Sequence, residues 1–285
     1  MRCSFSFFLR SRAVVLLLLC GLCGLLVPAC GDAADSAHTP RVLWRADHEK
    51  GDLSQWESGG HNGIWISSTA HARITNSLSH SGRYSVALSI TNADGTKNPE
   101  PGVRMARVST ATTPTTLPDA AYYSVWFYFP QVVRPVIYWN LFQWKRAFIR
   151  QDGVPWSDPL YSVNVGNRAD GTMYFYLYSY VGSDGGYMTK GNGVAAQALT
   201  NIPLKRWIHL ECYYGWSRQK TGRVACWQDG HRILNVADVV TEYGYPNVEY
   251  PRQWTVNNYS GHTDPPTHTI YIDDAIVSDS RIGID

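Results

Sequence analysis

Apolar and polar residues along this chain alternate with a period of two, and the apolar runs are short. Arg83–Ile90 (RYSVALSI) alternates polar and apolar positions, as a strand with one buried face does. Tyr122–Phe129 (YYSVWFYF) is apolar and aromatic on both faces, which suits a central strand, and Pro130 ends it. Tyr138–Trp144 (YWNLFQW) reads as another strand. Tyr161–Val165 and Met173–Tyr180 read as a pair around the turn Asn167–Gly171. Trp207–Tyr214 and Arg223–Gln228 form the clearest hairpin, joined by the polar, glycine-bounded Gly215–Gly222. With its turn near Gln219, Cys212 falls opposite Cys226. Asp229-Gly230 predicts a tight turn into a strand at His231–Val236. Thr269–Val277 (TIYIDDAIV) is the last strand, and the Gly- and Ala-rich Thr189–Ala198 is a loop. Many short strands separated by turn signals predict an all-β sandwich, and no internal repeat is visible.

The first thirty residues depart from this pattern. Arg2, Arg10 and Arg12 precede an apolar run from Ala13 to Val27, and small residues follow. That is a secretory signal, and the run is shorter than the ~20 residues of a membrane-spanning helix. Val27-Pro28-Ala29-Cys30 looks like a bacterial lipobox, although Pro28 is unusual there. Cleavage before a lipidated Cys30 and plain secretion are both open. We expect a signal at 1–29, a flexible tether at 30–40 and one domain at 41–285. Localisation is then extracellular or at the cell surface, with membrane contact through a lipid anchor if Cys30 is lipidated.

Without the three leader arginines, 22 basic residues face 23 acidic ones. A near-neutral chain excludes a non-specific nucleic-acid binder. Cys212 and Cys226 are the only cysteines left for the expected domain at 41–285, and an even pair in an exported chain suggests a disulfide. The chain carries 11 Trp and 18 Tyr, enough both to fill a core and to stack on sugars. We expect Trp139, Trp144, Trp207 and Trp227 in the core. Trp65, Trp156 and Tyr187 are candidates for stacking.

Three stretches resemble a family. Trp44–Trp56 (WRADHEKGDLSQW) with Ser81–Ser85 looks like the opening of jelly-roll domains in polysaccharide lyases and carbohydrate-binding modules. Arg206–His209 with Val224–Gly230 (VACWQDG) looks like a hairpin of concanavalin A-like folds. Ile270–Ala275 (IYIDDA) looks like their closing strand. The resemblance implies a β-jelly-roll sandwich of two antiparallel sheets. It is nearest to lyases of uronic-acid polymers, of the heparin lyase I, glucuronan lyase and alginate lyase type. Those enzymes carry an arginine strand, a Gln-x-His strand and a late tyrosine. Here these would be Val103–Val108 with Arg104 and Arg107, Gln143-Trp144-Lys145, and Tyr259. Ala106 stands where an acid is usual, and Lys145 replaces the histidine.

The resemblance implies β-elimination. Gln143 and an arginine would neutralise a substrate carboxylate, and Tyr259 would act as base or acid with Lys145 supporting it. His61 or His262 could replace the missing histidine. On one strand Gln143 and Lys145 share a face, whereas Arg104 and Arg107 do not. Arg107, His61, His262 and Trp65 complete the candidate substrate-binding set. No cofactor is expected for catalysis. Glu49 with Asp273 and Asp274 could hold a structural calcium ion where the first and last strands meet. The alternative is a non-catalytic, lectin-like surface protein using the same groove. A glycoside hydrolase ranks lower, because Glu211 stands alone in its strand.

Overall fold

The computed structural model describes residues 39–57, 64–92, 101–108, 117–149, 155–179, 200–242 and 252–284, with side chains left aside at 106–108, 146–149, 155–160 and 179. Thr39–Asp285 forms one compact unit. Its described elements are all strands: β1 (Val42–Ala46), β2 (Trp65–Ile66), β3 (Ala70–Thr75), β4 (Ser85–Thr91), β5 (Gly102–Val108), β6 (Ala120–Tyr128), β7 (Arg134–Pro135), β8 (Trp139–Ile149), β9 (Pro155–Asn167), β10 (Met173–Ser179), β11 (Trp207–Gly215), β12 (Gly222–Gln228), β13 (His231–Val239), β14 (Arg252–Ser260), β15 (Thr263–Asp264) and β16 (Thr267–Ser278). One sheet runs β13-β12-β11-β6-β16-β4-β3, with β1 also paired to β16. The other runs β10-β9-β8-β14-β5-β2, and β15 pairs with β7 in a small ribbon. Every pairing is antiparallel.

Alternation decides which side chains enter the core. Tyr123, Val125 and Phe127 on β6 face Phe142, Trp144, Trp254 and Val256 on the opposite sheet, and all are fully buried. The Tyr123 ring lies 5.2 Å from Trp254 and 5.7 Å from Trp144, and Trp144 stacks on Tyr214 at 4.7 Å. Each such side chain contributes about 1.5–3 kcal/mol by leaving water. Trp139 and Trp144 are core, as expected. Trp207 and Trp227 are not between the sheets. Both alternate with core residues, Trp227 lying under Arg281 (4.5 Å) and Trp207 beside Tyr128 (5.6 Å) on the outer face.

The β11–β12 hairpin places Cys212 opposite Cys226, and the two form a disulfide. Asp229 and Gly230 both have positive φ, at 47° and 77°, which is the backbone a two-residue type I′ turn requires. Both cysteines are fully buried, and the bridge closes a loop with a sequence separation of 14. Replacing both by alanine should lower unfolding stability by about 2–4 kcal/mol. Urea unfolding measures this, and an unchanged midpoint would mean the ladder alone holds the hairpin.

Candidate active site

The six-stranded sheet has one face in the core and a second that is polar. On β14, Gln253, Thr255 and Asn257 alternate with the core residues Trp254 and Val256. Asn258 turns inward, accepting Trp139 Nε1–H at 2.8 Å and donating to the Leu88 carbonyl at 2.9 Å. The register shifts between Val256 and Tyr259, and Tyr259 returns to the polar face. Neighbouring strands add Asn140, Gln143 and Lys145 from β8, Ser162 and Asn164 from β9, Tyr174 and Tyr176 from β10, and Arg104 from β5. Asn140, Gln143, Lys145, Ser162, Asn164, Gln253, Thr255 and Asn257 are at most 6% exposed. Aromatic rings at both ends are half-buried.

Polar groups buried this deeply cost free energy unless they are bonded. A row of amides crosses the sheet and meets part of that need. Asn257 Nδ2 donates to Asn140 Oδ1 at 2.5 Å, and Asn140 Nδ2 donates to Asn164 Oδ1 at 2.8 Å. Asn164 Nδ2 donates to Tyr176 Oη at 3.3 Å. Four buried atoms of this face have no partner among the described residues: Arg104 Nε, Gln143 Oε1, Thr255 Oγ1 and Asn257 Oδ1. Each such orphan costs about 1–3 kcal/mol unless water or a ligand meets it, and these four lie together on three adjacent strands.

Arg104 lies at the β5 side of this face. Its guanidinium carbon is 5.4 Å from the Trp65 ring and 5.7 Å from the Tyr259 ring. Trp65 and Tyr138 flank Tyr259 at 6.0 and 5.5 Å. Desolvation pushes the arginine pKa down, while the phenol oxygens of Tyr259 and Tyr138 pull it up. Among the described residues no carboxylate pairs with Arg104. A desolvated cation without a counterion suits an anionic ligand. Gly102 makes the close approach possible, because a Cβ there would collide with the Tyr259 ring.

The structure thus brings Arg104, Trp65 and Tyr259 together, and it places Gln143 and Lys145 on the same face. Register separates the two groups. Gln143 pairs with Thr255, Lys145 with Gln253, and Tyr259 with Asn140. Lys145 is therefore six residues along β14 from the level of Tyr259, roughly 20 Å at the strand rise. The expectation that Lys145 supports Tyr259 is corrected on this ground: the cation beside the phenol is Arg104. Arg107 pairs through its backbone with Trp254, and its side chain lies outside the described atoms. His61, Tyr187, Cys30 and the Trp156 side chain also lie outside them. His262 follows Gly261, and its carbonyl accepts Val136 N–H (2.9 Å) and Ser260 Oγ–H (3.1 Å), which fixes the β7–β15 ribbon beside Tyr138.

In the other sheet β1 pairs with β16. Glu49 Oε1 there accepts the N–H groups of Arg83 and Tyr84, both at 2.9 Å. Asp273 accepts His80 N–H at 2.9 Å and lies 3.4 Å from His48 Nδ1, and Asp274 lies 2.8 Å from His80 Nδ1. These carboxylates close the strand junction through hydrogen bonds. Among the described residues no group of three or more His, Cys, Asp or Glu side chains could hold a metal ion.

Sequence reasoning missed Asn140, Ser162, Asn164, Thr255, Asn257, Tyr138 and Tyr176. Their signal was an alternation in which the polar members are amides and hydroxyls without charge, on the four neighbouring strands β10-β9-β8-β14, with Tyr138 just before β8.

A family profile described as polysaccharide lyase matches residues 48–275. No curated protein matches the chain. Among solved structures, an endo-β-1,4-glucuronan lyase from the fungus Trichoderma reesei superposes with a TM-score of 0.63 at 13% identity, covering 84% of this chain and 96% of that one. An alginate lyase from Aplysia kurodai gives 0.54 at 13% identity, covering 84% and 100%. A mutant alginate lyase in complex with alginate trisaccharide gives 0.50 at 14% identity, covering 77% and 88%. At these identities the likeness shows the fold, an all-β jelly roll.

Proposed function

This chain belongs to the polysaccharide lyase family, and we propose that it cleaves a uronic-acid-containing polysaccharide by β-elimination outside the cytoplasm. The observation that carries the substrate class is Arg104, a half-buried arginine with no acidic partner among the described residues and a buried, unpartnered Nε. A sugar carboxylate supplies the missing counterion and accepts from the guanidinium in a forked geometry. Neutralising that carboxylate makes the adjacent C5 proton acidic, because charge spreads onto the carboxylate oxygens as the proton leaves.

Tyr259 stands beside Arg104 and is the proton-transfer group of this proposal. Its phenolate takes the C5 proton. The C4–O bond breaks as the C4=C5 double bond forms, and the leaving oxygen takes up a proton, from Tyr259 itself once it is protonated. Arg104 stabilises the phenolate before transfer and the enolate-like charge during it. Gln143, Thr255 and Asn257 offer acceptors to sugar hydroxyls along the floor. Lys145, further along, attracts the anionic chain. Export and lipid attachment at Cys30 rest on the leader pattern. A calcium ion enters only as a structural ion at Glu49 and Asp274, where backbone carbonyls would have to complete its shell.

The test is ultraviolet absorbance of the unsaturated product. Purified protein is offered alginate, glucuronan, heparin and pectate, each with Ca²⁺ and with EDTA. A rise on one polymer is expected, and it names the substrate class. Retention on a polymer without any rise would replace the proposal by a binding protein. Equal rates in Ca²⁺ and EDTA would remove the ion from it.

A further inference from the structure

We infer that Tyr176 is a substrate-binding residue of a second subsite at the β10 edge of the groove, held as a hydrogen-bond donor by the amide row that begins at Asn257. The inference rests on the groove being the polysaccharide site.

The direction of the row is fixed by its centre. Asn140 Nδ2 reaches the carbonyl oxygens of Phe142 and Val163, at 3.1 and 3.5 Å, as well as Asn164 Oδ1. Carbonyl oxygens only accept, so the amide nitrogen of Asn140 must lie on that side. Its Oδ1 then accepts from Asn257, and Asn257 Oδ1 is left facing away without a partner. At the other end, Asn164 Oδ1 takes Asn140 Nδ2 and also Ser162 Oγ–H at 3.3 Å. Asn164 can therefore offer Tyr176 only its NH₂ group, and Tyr176 Oη accepts it.

A phenol oxygen that accepts from Asn164 turns its own proton elsewhere. Burial raises the Tyr176 pKa, so the proton stays in place at neutral pH. The ring is half-buried, with Tyr174 6.3 Å away. Tyr174 itself leans on Gly166, where a Cβ would come within 2.8 Å of its ring. The edge of the groove thus presents a fixed donor on an aromatic wall.

Position separates this donor from the chemistry. Arg104 on β5 and Tyr176 on β10 are four strand spacings apart in the order β10-β9-β8-β14-β5. That is about 19 Å, or about four pyranose rings for a chain crossing the strands. Tyr259, on β14, is three spacings from β10, about 14 Å, so Tyr176 stands roughly three rings from the bond that Tyr259 attacks. It donates to an oxygen of a flanking sugar.

The experiment compares Tyr176→Phe and Asn164→Asp with wild type on polymer and on disaccharide to hexasaccharide fragments. Asn164→Asp replaces the NH₂ by an acceptor, so the phenol proton turns to the carboxylate and is lost to substrate. Both variants should raise KM for polymer about five- to tenfold, as the loss of one hydrogen bond does, and change kcat less than twofold. Fragments too short to span the groove should show no KM difference. Unchanged KM on polymer, or an equal loss on short and long substrates, overturns the inference. If wild type forms no unsaturated product, the lyase reading fails on its own. The subsite is then read by retention on immobilised polymer, where equal retention of wild type and Tyr176→Phe overturns it.

Discussion

Tyr259→Phe is expected to lower kcat/KM by about 10²–10⁴-fold on the polymer that the native protein cleaves, the range general acid–base groups contribute. The substitution removes one oxygen and keeps the ring. Contacts with Trp65 at 6.0 Å and Tyr138 at 5.5 Å survive, as does the stacking of Arg104 over the ring at 5.7 Å. Binding should therefore persist while turnover collapses, so the loss appears in kcat with KM changed little. Arg104→Ala should lose comparable activity by a different route. It removes the counterion of the substrate carboxylate, so KM rises along with the fall in kcat. A Tyr259→Phe variant with more than a tenth of native activity would take proton transfer away from this residue. Tyr138, whose ring adjoins Tyr259 on the same face, would then be examined next.

The strands were legible because a period of two survives in β4, β11, β12 and β16, and because turn residues bound each one. The pairing of Cys212 with Cys226 followed from their being the pair left for the domain and from the hairpin that sets them opposite each other. Trp227 is buried as expected, though on the outer face, while assigning the half-buried Trp207 to the core failed for a physical reason. Both faces of the eight-stranded sheet carry aromatics, and composition does not say which face meets the other sheet. The site was partly legible. Arg104, Gln143, Lys145, Trp65 and Tyr259 do share one face, but register decides which of them meet, and irregularities at Leu141 and between Val256 and Tyr259 shift it. The amide floor was hidden because Asn257 or Asn164 in a strand reads the same whether it faces water or a buried groove. Only burial at or below 2% distinguishes them.

Stability should fall as the solution is acidified from pH 7 towards pH 4, because two histidines are buried in their neutral form. Burial holds the pKa of His209 down to about 4 and that of His268 down to about 4. Asp229 and Asp274 pull His209 back up, while His80 and Arg281 push it further down. Among the described residues no charged neighbour acts on His268. Its ring lies 3.0 Å from Asn258 Oδ1 and 3.3 Å from Thr263 Oγ1, beside the Trp139 ring. In the unfolded chain both imidazoles take up protons below about pH 6.5, whereas in the fold they do not until about pH 4. Over that window the unfolded state binds more protons, so stability is full above the unfolded pKa and is lost as pH falls through it. Each histidine then removes about 3 kcal/mol by pH 4, at 1.36 kcal/mol per unit. Glu211, whose pKa burial raises, acts in the opposite sense and offsets part of the loss near the ordinary carboxylate range. Urea midpoints at pH 7, 6, 5 and 4 measure the slope, and His268→Gln should remove about half of it. Imidazole signals that titrate near pH 6.5 in the folded protein would show that these two side chains are hydrated, and the acid sensitivity would then have to come from the carboxylates.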